Sequence, residues 1–152
     1  MAYSEIEQLS LDIDIFFHDN KKLIHLASGG GRLPKNLANT DSYNDVVREF
    51  LFNSSPEFEI DINPNLLQIL NITEEGLDSY LSTFVEIAKR GFYSYDKSSL
   101  GNFQDMDFHL VAKPKSNMKS ITLLEKFEIN NFMITQSELP ETFDRFNLNE
   151  FV

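Results

Sequence analysis

Cysteine and tryptophan are both absent from the 152-residue chain. Without cysteine there is no disulfide, no cysteine-ligated zinc or iron–sulfur site and no thiol nucleophile. This composition is compatible with the reducing cytoplasm, which is where we expect the protein to be located. Residues 1–7 also lack the basic-then-apolar pattern of a signal peptide, so we expect no export.

Cations and long apolar runs are scarce as well. The chain has 13 Lys plus Arg against 24 Asp plus Glu, which gives a formal net charge of −11 and a sequence pI near 4.6. Sequence-independent binding of nucleic acid requires a cationic surface that displaces counterions from phosphates, so we expect no nucleic acid partner. No window approaches the ~18 consecutive apolar residues of a membrane helix. Because anionic headgroups would also repel this surface, we expect no membrane attachment.

The chain nevertheless contains enough apolar material for a folded core. Hydrophobic residues make up 41% and aromatic residues 12% of the sequence, which excludes an intrinsically disordered acidic tail. The length matches one domain, because two cores would leave both halves short of buried surface. We therefore predict a single globular domain over residues 1–152, whose oligomeric state stays open.

An alternating pattern near the N-terminus predicts a β-hairpin. Over residues 9–17 the odd positions are apolar and the even positions mostly polar, which is typical of a strand with one buried face. Residues 19–22 supply a turn and residues 23–27 a returning strand. With a two-residue loop, Phe17 would face Ile24, so the apolar sides of the two strands would coincide.

Two later segments have the spacing of amphipathic helices. Apolar residues recur at intervals of three and four over about 41–53 and again over 73–90. Thr73 can cap the second helix, and Gly91 can take the left-handed conformation that closes it. Further strands are predicted at 57–62, 91–95 and 106–112, and less clearly within 121–134. This order predicts an α+β domain with a largely antiparallel sheet, an N-terminal β-hairpin and two main helices.

The most abundant candidate feature is acidic. Carboxylates project from the polar sides of three predicted strands, at Asp12 and Asp14, at Glu57, Glu59 and Asp61, and at Asp105 and Asp107. Alternate acids on an amphipathic strand usually form a solvated face. If two of these strands are neighbours, their exposed acids would instead form a patch suited to a basic protein partner, whose association the patch would steer. Paired carboxylates could also act as general acid and base if burial separated their pKa values.

Tyr93 and Tyr95 are the other candidate contact residues. Alternation places them on the face of their strand opposite to Phe92 and Ser94. Core packing is the simplest role for them, since aromatic side chains carry a large buried area. Exposed beside the loop that begins at Asp96, the two rings would instead serve as an aromatic interface anchor ringed by acids.

Three consecutive glycines, Gly29, Gly30 and Gly31, follow the hairpin and precede Arg32. Glycine lets backbone N–H groups converge on an anion, and Arg32 and Lys35 make this the one cationic glycine-rich stretch. The segment lacks both the Gly-Lys-Ser/Thr ending of a phosphate loop and the Gly-x-Gly-x-x-Gly dinucleotide pattern. A flexible connection is therefore the simpler interpretation, and an anion site formed by the glycines and Arg32 is the alternative.

No motif in the sequence indicates a catalytic centre or a cofactor. His18 and His25 would lie diagonally across the hairpin, near Asp12 or Asp14, but their spacing matches no compact metal motif. None of the serines has the Gly-x-Ser-x-Gly frame of a nucleophile elbow. We therefore predict no cofactor and no metal, and we favour a non-enzymatic role.

Three hypotheses of function remain. The first is a non-enzymatic acidic binding domain for a basic protein, such as a bacterial immunity or antitoxin-like protein that neutralises a cationic toxin, or an intracellular adaptor. The second is a small anion-binding or hydrolytic domain that uses the glycine-rich residues 28–35 with the hairpin histidines, and it requires one concave pocket that holds these groups. The third is a structural subunit of a larger assembly, which would expose a large apolar patch, for example from Phe143, Phe146 and Phe151.

Overall fold

The structure, a computed structural model, describes residues 3–39, 41–116 and 137–152. The strand suggested within 121–134 lies outside these residues. The helices are α1 (Glu5–Ser10), α2 (Asp41–Asn53), α3 (Leu66–Leu70) and α4 (Glu74–Ala88). The strands are β1 (Asp14–His18), β2 (Leu23–Ala27), β3 (Ile60–Ile62), β4 (Phe92–Lys97), β5 (Asp107–Pro114) and β6 (Phe146–Asn147), and short 3-10 turns cover Leu37–Asn39 and Leu148–Glu150.

All six strands belong to one sheet in the order β1-β2-β4-β5-β3, and β6 also pairs with β5. Every pairing is antiparallel except that of β2 with β4. A parallel pair requires a long crossover connection, and here the chain from α2 to α4 provides it. The predicted α+β class is therefore confirmed, with a largely antiparallel sheet, an N-terminal hairpin and two long helices.

The hairpin of β1 and β2 has the predicted register. Phe17 lies opposite Ile24, and Ile15 lies opposite Leu26. At the turn, Asn20 takes a left-handed backbone conformation with φ of 71°, which asparagine tolerates better than most residues. Ile15 and Phe17 of β1 consequently share one face of the sheet with Ile24 and Leu26 of β2.

The chain before β1 is helical and not extended, so the predicted start of the first strand at residue 9 is wrong. Glu7 donates its backbone N–H to Ser4 Oγ at 3.3 Å, and Glu7 Oε2 accepts the Ser4 N–H at 2.8 Å. This capping box satisfies two otherwise unpaired N–H groups and starts α1. Leu9 is 61% exposed on that helix. It therefore does not belong to a buried strand face, although it fits the alternating pattern.

The second long helix is shorter than predicted by one or two residues at each end. Thr73 holds the N-cap position with extended backbone but without a side-chain capping bond. Gly91 has φ of 104°, which suits glycine where the chain leaves the helix end. The strand predicted at 57–62 shortens to β3, because the amides of Glu57 and Phe58 both donate to the Lys89 carbonyl beyond α4.

The sheet is covered on both faces. Helices α2, α3 and α4 cover one face, where Val47, Leu66, Leu81, Phe84 and Ile87 are buried. The other face carries the larger apolar cluster, which also includes residues of the segment after β2 and of the C-terminal residues 137–152. The buried members of this cluster are Ile13, Ile15, Phe17, Ile24, Leu26, Leu33, Leu37, Ala38, Tyr93, Tyr95, Phe108, Leu110, Leu139 and Leu148.

A buried ion pair at the hairpin turn is hydrogen bonded to the C-terminal segment, residues 137–152. Lys22 Nζ lies 2.5 Å from Asp19 Oδ2 and also donates to the Leu139 carbonyl at 2.8 Å. The Leu139 N–H in turn donates to Asp19 Oδ2 at 3.0 Å. Because both charges are buried and hydrogen bonded, residues 137–152 pack on the domain as an integral part of it.

Candidate functional site

Strand register aligns polar residues on the face of the sheet that the helices cover. Asp14 of β1 lies opposite Ala27 of β2, Ala27 lies opposite Asp96 of β4, and Asp96 lies opposite His109 of β5. Residues paired across neighbouring strands point to the same face. Asp14, Ala27, Asp96 and His109 therefore form one row across four strands, which we call the polar row, and the small Ala27 separates its two carboxyl groups.

A histidine next to the polar row positions Asp14. His25 Nε2 lies 2.8 Å from Asp14 Oδ1, and His25 Nδ1 lies 2.6 Å from Ser94 Oγ. The residue types are those of a Ser-His-Asp triad, but Ser94 is fully buried, so no substrate carbonyl can reach its hydroxyl. The arrangement instead holds the Asp14 carboxylate in a fixed orientation.

Tyr80 of α4 connects the two far members of the polar row. Its hydroxyl donates to Asp96 Oδ2 at 2.7 Å and lies 3.2 Å from His109 Nε2. On the other side of the ring, His109 Nδ1 lies 2.9 Å from Ser98 Oγ. The helix is thereby joined to β4 and β5 by hydrogen bonds as well as by apolar packing.

The two carboxyl groups of the polar row differ in ionisation. Burial raises the pKa of Asp96 to about 7, an effect that the charges of Asp12 and Asp14 reinforce and the Tyr80 hydrogen bond opposes. Burial also acts on Asp14, but the hydrogen bond and charge of His25, together with Arg48, lower the pKa of Asp14 below its usual value. Asp14 is thus an anion at neutral pH, whereas Asp96 exchanges its proton near neutrality.

His109 is held in the neutral form. Burial and the charge of Arg145 lower its pKa to about 4. Burial, followed by the charge and hydrogen bond of Asp96, raises the pKa of Tyr80 far above that of a free tyrosine. Tyr80 consequently stays a hydrogen-bond donor toward Asp96.

A cleft of about 320 Å³ opens over one end of the polar row. Its lining combines residues within or next to β1, β2 and β4 with residues of α4: Asp12, Asp14, His25, Ala27, Gly29, Tyr80, Thr83, Phe84, Asp96 and Leu100. Three of these residues carry carboxyl groups and none is Lys or Arg. We call this the acidic cleft.

Two carboxylates of the acidic cleft have unused hydrogen-bonding capacity. Asp12 Oδ1 accepts the Gly29 N–H at 2.8 Å, and Asp14 Oδ1 is bonded to His25. The second oxygen of each group accepts no hydrogen bond from the described part of the chain. In the same ranges, no group of three or more His, Asp or Glu side chains is placed to hold a metal ion. The cleft is therefore suited to a ligand that donates hydrogen bonds and carries positive charge.

The structure separates the seven acids that the sequence analysis grouped. Asp12 and Asp14 lie at the β1 edge, whereas Glu57, Glu59 and Asp61 lie in or before β3 at the opposite edge. Three strands stand between these edges, a separation of about 19 Å at the ~4.8 Å spacing of neighbouring strands. Asp12 and Asp14 therefore do not share one patch with the acids near β3.

Asp105 and Asp107 form a third group, at the start of β5. Asp105 Oδ1 accepts the Asp107 N–H at 2.7 Å, and its backbone carbonyl accepts a hydrogen bond from Lys97 Nζ. The start of β5 and the start of β1 lie at the same end of the sheet, since Asp14, Ala27, Asp96 and His109 are in register. This group therefore adds negative charge at the same end as the acidic cleft.

Tyr93 and Tyr95 do not form an exposed anchor. Both rings are buried in the larger apolar cluster, and Tyr95 donates its hydroxyl to the Pro140 carbonyl at 2.8 Å. The C-terminal segment covers the face of β4 to which they point. Core packing, the simpler of the two predictions, is confirmed by their burial.

The glycine-rich loop has a structural explanation. Gly29 and Gly30 have φ of 58° and 70°, and a Cβ at Gly31 would overlap the Lys97 side chain. The Gly31 N–H donates to the Ser28 carbonyl at 2.9 Å, and the Arg32 guanidinium donates to Gln104 Oε1 at 2.9 Å. The amides of Gly29 and Gly31 are thus bonded within the protein, which gives the anion-site alternative no support.

The single pocket that the second hypothesis requires is not formed. His25 and Gly29 line the acidic cleft, but Arg32 does not, and His18 Nδ1 accepts the Asn20 N–H at the hairpin turn. Phe143, Phe146 and Phe151, which the third hypothesis names, are each partly buried and pack against the larger apolar cluster.

Sequence reasoning missed Asp96, Tyr80 and His109 as members of one site. The predicted strand ends at residue 95 with Asp96 in the loop that follows, and no sequence motif points to Tyr80 or His109. The sequence signal for Asp96 is its position two residues after Ser94 and four after Phe92. This spacing places all three side chains on one face if the strand continues to residue 96. What joins these residues is pairing between strands distant in sequence, which no local pattern contains.

No protein-family model, curated protein sequence or solved structure matches this chain. Within the described ranges, no helix is both long and apolar enough to cross a membrane. The function is therefore inferred from the acidic cleft and its charge.

Proposed function

We propose that the protein is a non-enzymatic binding domain for a basic protein, and that the acidic cleft receives a lysine or arginine side chain of this partner. The observation that carries the proposal is the convergence of Asp12, Asp14 and Asp96 on one cleft whose lining contains no Lys or Arg. A cleft lined by charge of one sign focuses the electrostatic field and favours a ligand of the opposite sign.

Several basic residues of the protein have partners away from this cleft, and Arg48, whose charge acts on Asp14, donates to the Asp14 backbone carbonyl. Lys22 pairs with buried Asp19, and buried Lys97 donates to a backbone carbonyl. On the surface, Lys21 lies 3.1 Å from Glu138 and Arg90 lies 2.9 Å from Glu86. Several Lys and Arg side chains of this acidic chain thus bind partners within the fold. The negative charge at the cleft remains available to a partner protein.

The chemistry of the cleft fits an ammonium or guanidinium group. Asp14 is ionised at neutral pH and oriented by His25, so it can accept a charge-assisted hydrogen bond without reorganising. The rings of Tyr80 and Phe84, whose centroids are 5.1 Å apart, line the same space. Aromatic faces attract cations, and arginine in particular stacks on them.

Acid–base catalysis is the less suitable role for these carboxyl groups. Their pKa values are separated by the environment, which general acid–base pairs require. However, Asp96 is only 4% exposed and is already hydrogen bonded to Tyr80, so a substrate oxygen has little access to its proton. Binding makes no such demand, because the charge of Asp96 acts on a cation without direct contact.

We propose two classes of binding domain for this chain. One neutralises a cationic toxin, in the manner of a bacterial immunity protein or antitoxin, and the other is an intracellular adaptor. Both use charge complementarity to accelerate association and to select a partner. The net charge of −11 and the oriented carboxylate of Asp14 suit either class.

The proposal is tested with two charge-matched double variants. Asp12→Asn with Asp14→Asn removes two charges from the cleft, and Glu57→Gln with Glu59→Gln removes two charges near the opposite edge of the sheet. The probe is a fluorescein-labelled 12-residue peptide of alternating Arg and Ser, and the measurement is fluorescence anisotropy at low and high salt. Asparagine keeps an oxygen for the Gly29 and His25 hydrogen bonds, so we expect the fold to persist.

We expect the cleft variant to weaken binding about tenfold or more at low salt, since hydrogen bonds to charged groups contribute about 1.5–3 kcal/mol and 1.4 kcal/mol is a factor of ten. The control variant should change the affinity less than twofold. Equal losses in the two variants would show that only net charge matters and would contradict a specific cleft.

A further inference from the structure

An apolar groove of about 420 Å³ adjoins the acidic cleft and shares Asp14 with it. It lies between β1, α2 and the end of α4, and its lining residues are Asp14, Phe16, Arg48, Leu51, Phe52, Glu86, Ile87 and Arg90. Phe16 and Ile87 are buried, whereas Phe52 is 90% exposed. The groove therefore offers an apolar interior with an aromatic side chain on the surface beside it.

Both arginines of the groove are bound within the protein. Arg48 lies 3.4 Å from Asp45 and donates to the Asp14 carbonyl at 3.3 Å. Arg90 donates to the Leu51 carbonyl at 3.1 Å and to Glu86 Oε2 at 2.9 Å. Their guanidinium groups connect the elements that flank the groove, and Phe16, Leu51, Phe52 and Ile87 supply its apolar lining.

Phe52 is not used by the fold. In α2, Val47 is buried against the sheet, and Leu51 is half-buried in the same apolar cluster. An isolated exposed apolar residue is ordinary in a folded protein. Here the exposed ring borders a groove of a size that admits a side chain, and that groove shares Asp14 with the acidic cleft.

We propose that the apolar groove and the acidic cleft together bind one segment of the basic partner, in which an apolar side chain enters the groove beside Phe52 and a neighbouring Lys or Arg enters the cleft. This inference rests on the proposed function and names the partner chemistry as an amphipathic basic segment. Charge selects this occupant over a second copy of the chain, because two copies of net charge −11 would bring like charges together at Asp14.

The test compares two labelled 12-residue peptides of equal charge, one of alternating Arg and Leu and one of alternating Arg and Ser. The variants are Phe52→Ala at the groove and Ile6→Ala as a control, since Ile6 is 77% exposed on α1 and does not line the groove. We expect the wild-type protein to bind the Arg-Leu peptide about tenfold more tightly, because burial of an aromatic anchor and its apolar partner dominates such contacts.

Phe52→Ala should remove most of this preference and leave the Arg-Ser affinity unchanged, and Ile6→Ala should change neither. If Phe52→Ala preserves the preference while the Asp12/Asp14 variant weakens both peptides, the groove is not part of the site and the proposed function stands. If the Asp12/Asp14 variant weakens neither peptide, the proposed function fails and this inference fails with it.

Sedimentation velocity of the unliganded protein supplies the remaining outcome. A dimer that Phe52→Ala dissociates would make the groove an interface between copies of the chain and would overturn the inference. A monomer at all concentrations, together with the Phe52-dependent peptide preference, would support it.

Discussion

The two faces of the sheet are built from alternate residues of the same strands, yet they differ in chemistry. The face toward the C-terminal segment is apolar along β1, β2 and β4, with Ile15, Phe17, Ile24, Leu26, Tyr93 and Tyr95. The face toward the helices carries polar side chains among its apolar ones: Asp14, His25, Ser94, Asp96 and His109. The first face is explained by packing alone, and the second is not.

Polar side chains on a helix-covered face are costly unless each finds a partner. In the described part of the chain, no buried side-chain nitrogen or oxygen lacks one. Asp14, His25 and Ser94 satisfy one another, as do Asp96, Tyr80 and His109. The helix face therefore exchanges some hydrophobic stabilisation for an oriented set of charges that borders a cleft.

The largest expected effect tests the apolar face. Phe17 is fully buried in the larger apolar cluster, so Phe17→Ala should lower the free energy of unfolding by about 3–5 kcal/mol through lost burial and a residual cavity. Chemical denaturation at pH 7 measures it. Ile6→Ala, on the exposed side of α1, should change stability by less than about 0.5 kcal/mol. A Phe17→Ala loss as small as the control would contradict the role of this face as the core.

An effect of comparable size and opposite sign is expected at Asp96. Its pKa rises from 3.8 to about 7 in the folded protein, so the folded state retains a proton that the unfolded chain loses. Stability from this group is complete below about pH 4 and is lost as pH rises to about 7. At three pKa units of 1.36 kcal/mol each, the loss is on the order of 4 kcal/mol.

Asp96→Asn should remove this loss, because asparagine can accept the Tyr80 hydrogen bond without a charge. Urea unfolding at several pH values between 4 and 8 should show the variant gaining stability over the wild type as pH rises. Glu57→Gln, an exposed change near the opposite edge, should retain the wild-type profile. A variant parallel to the wild type at every pH would show that Asp96 is not the buried titrating group.

The third and smallest effect comes from His109, with the reverse pH dependence. Its pKa falls from 6.5 to about 4 on folding, so its contribution to stability is present above about pH 6.5 and is lost as pH falls to 4. The loss is about 3 kcal/mol. Because the two contributions change with pH in opposite directions, they partly cancel in the wild type between about pH 4 and 6.5.

His109→Gln should expose the trend of Asp96 alone, so that stability increases as the solution is acidified from pH 7 to pH 4.5. The same unfolding series measures it. A profile that instead falls on acidification would mean that another group carries the pH dependence of the helix face.

Features set by neighbouring residues could be predicted from the sequence. The hairpin register follows from alternation and a short turn, so Phe17 and Ile24 were paired correctly. The bounds of α4 follow from its apolar spacing and from Gly91, within two residues. Near the N-terminus, the alternation of Leu9 and Leu11 indicates a strand, whereas the Ser4–Glu7 capping box favours a helix. Residues 5–10 are helical because the capping box satisfies hydrogen-bond donors of the first turn.

Features set by distant pairing could not be predicted. The parallel contact of β2 with β4 joins segments separated by about 70 residues, and it alone places Asp96 in line with Asp14. The acids near Glu57 and those near Asp14 carry the same local pattern, yet the strand order sends them to opposite edges. The candidate site is therefore a product of topology, and only its residue types were visible beforehand.

The most direct measurement of the central claim is an NMR titration of the ¹⁵N-labelled protein with the Arg-Ser peptide. The acidic cleft predicts that the largest amide shift changes occur at Ala27, Gly29 and Thr83, which line it, and that they diminish as salt is added. Changes of equal size at residues 57–61, or changes spread evenly over the surface, would contradict a cleft that binds a basic partner.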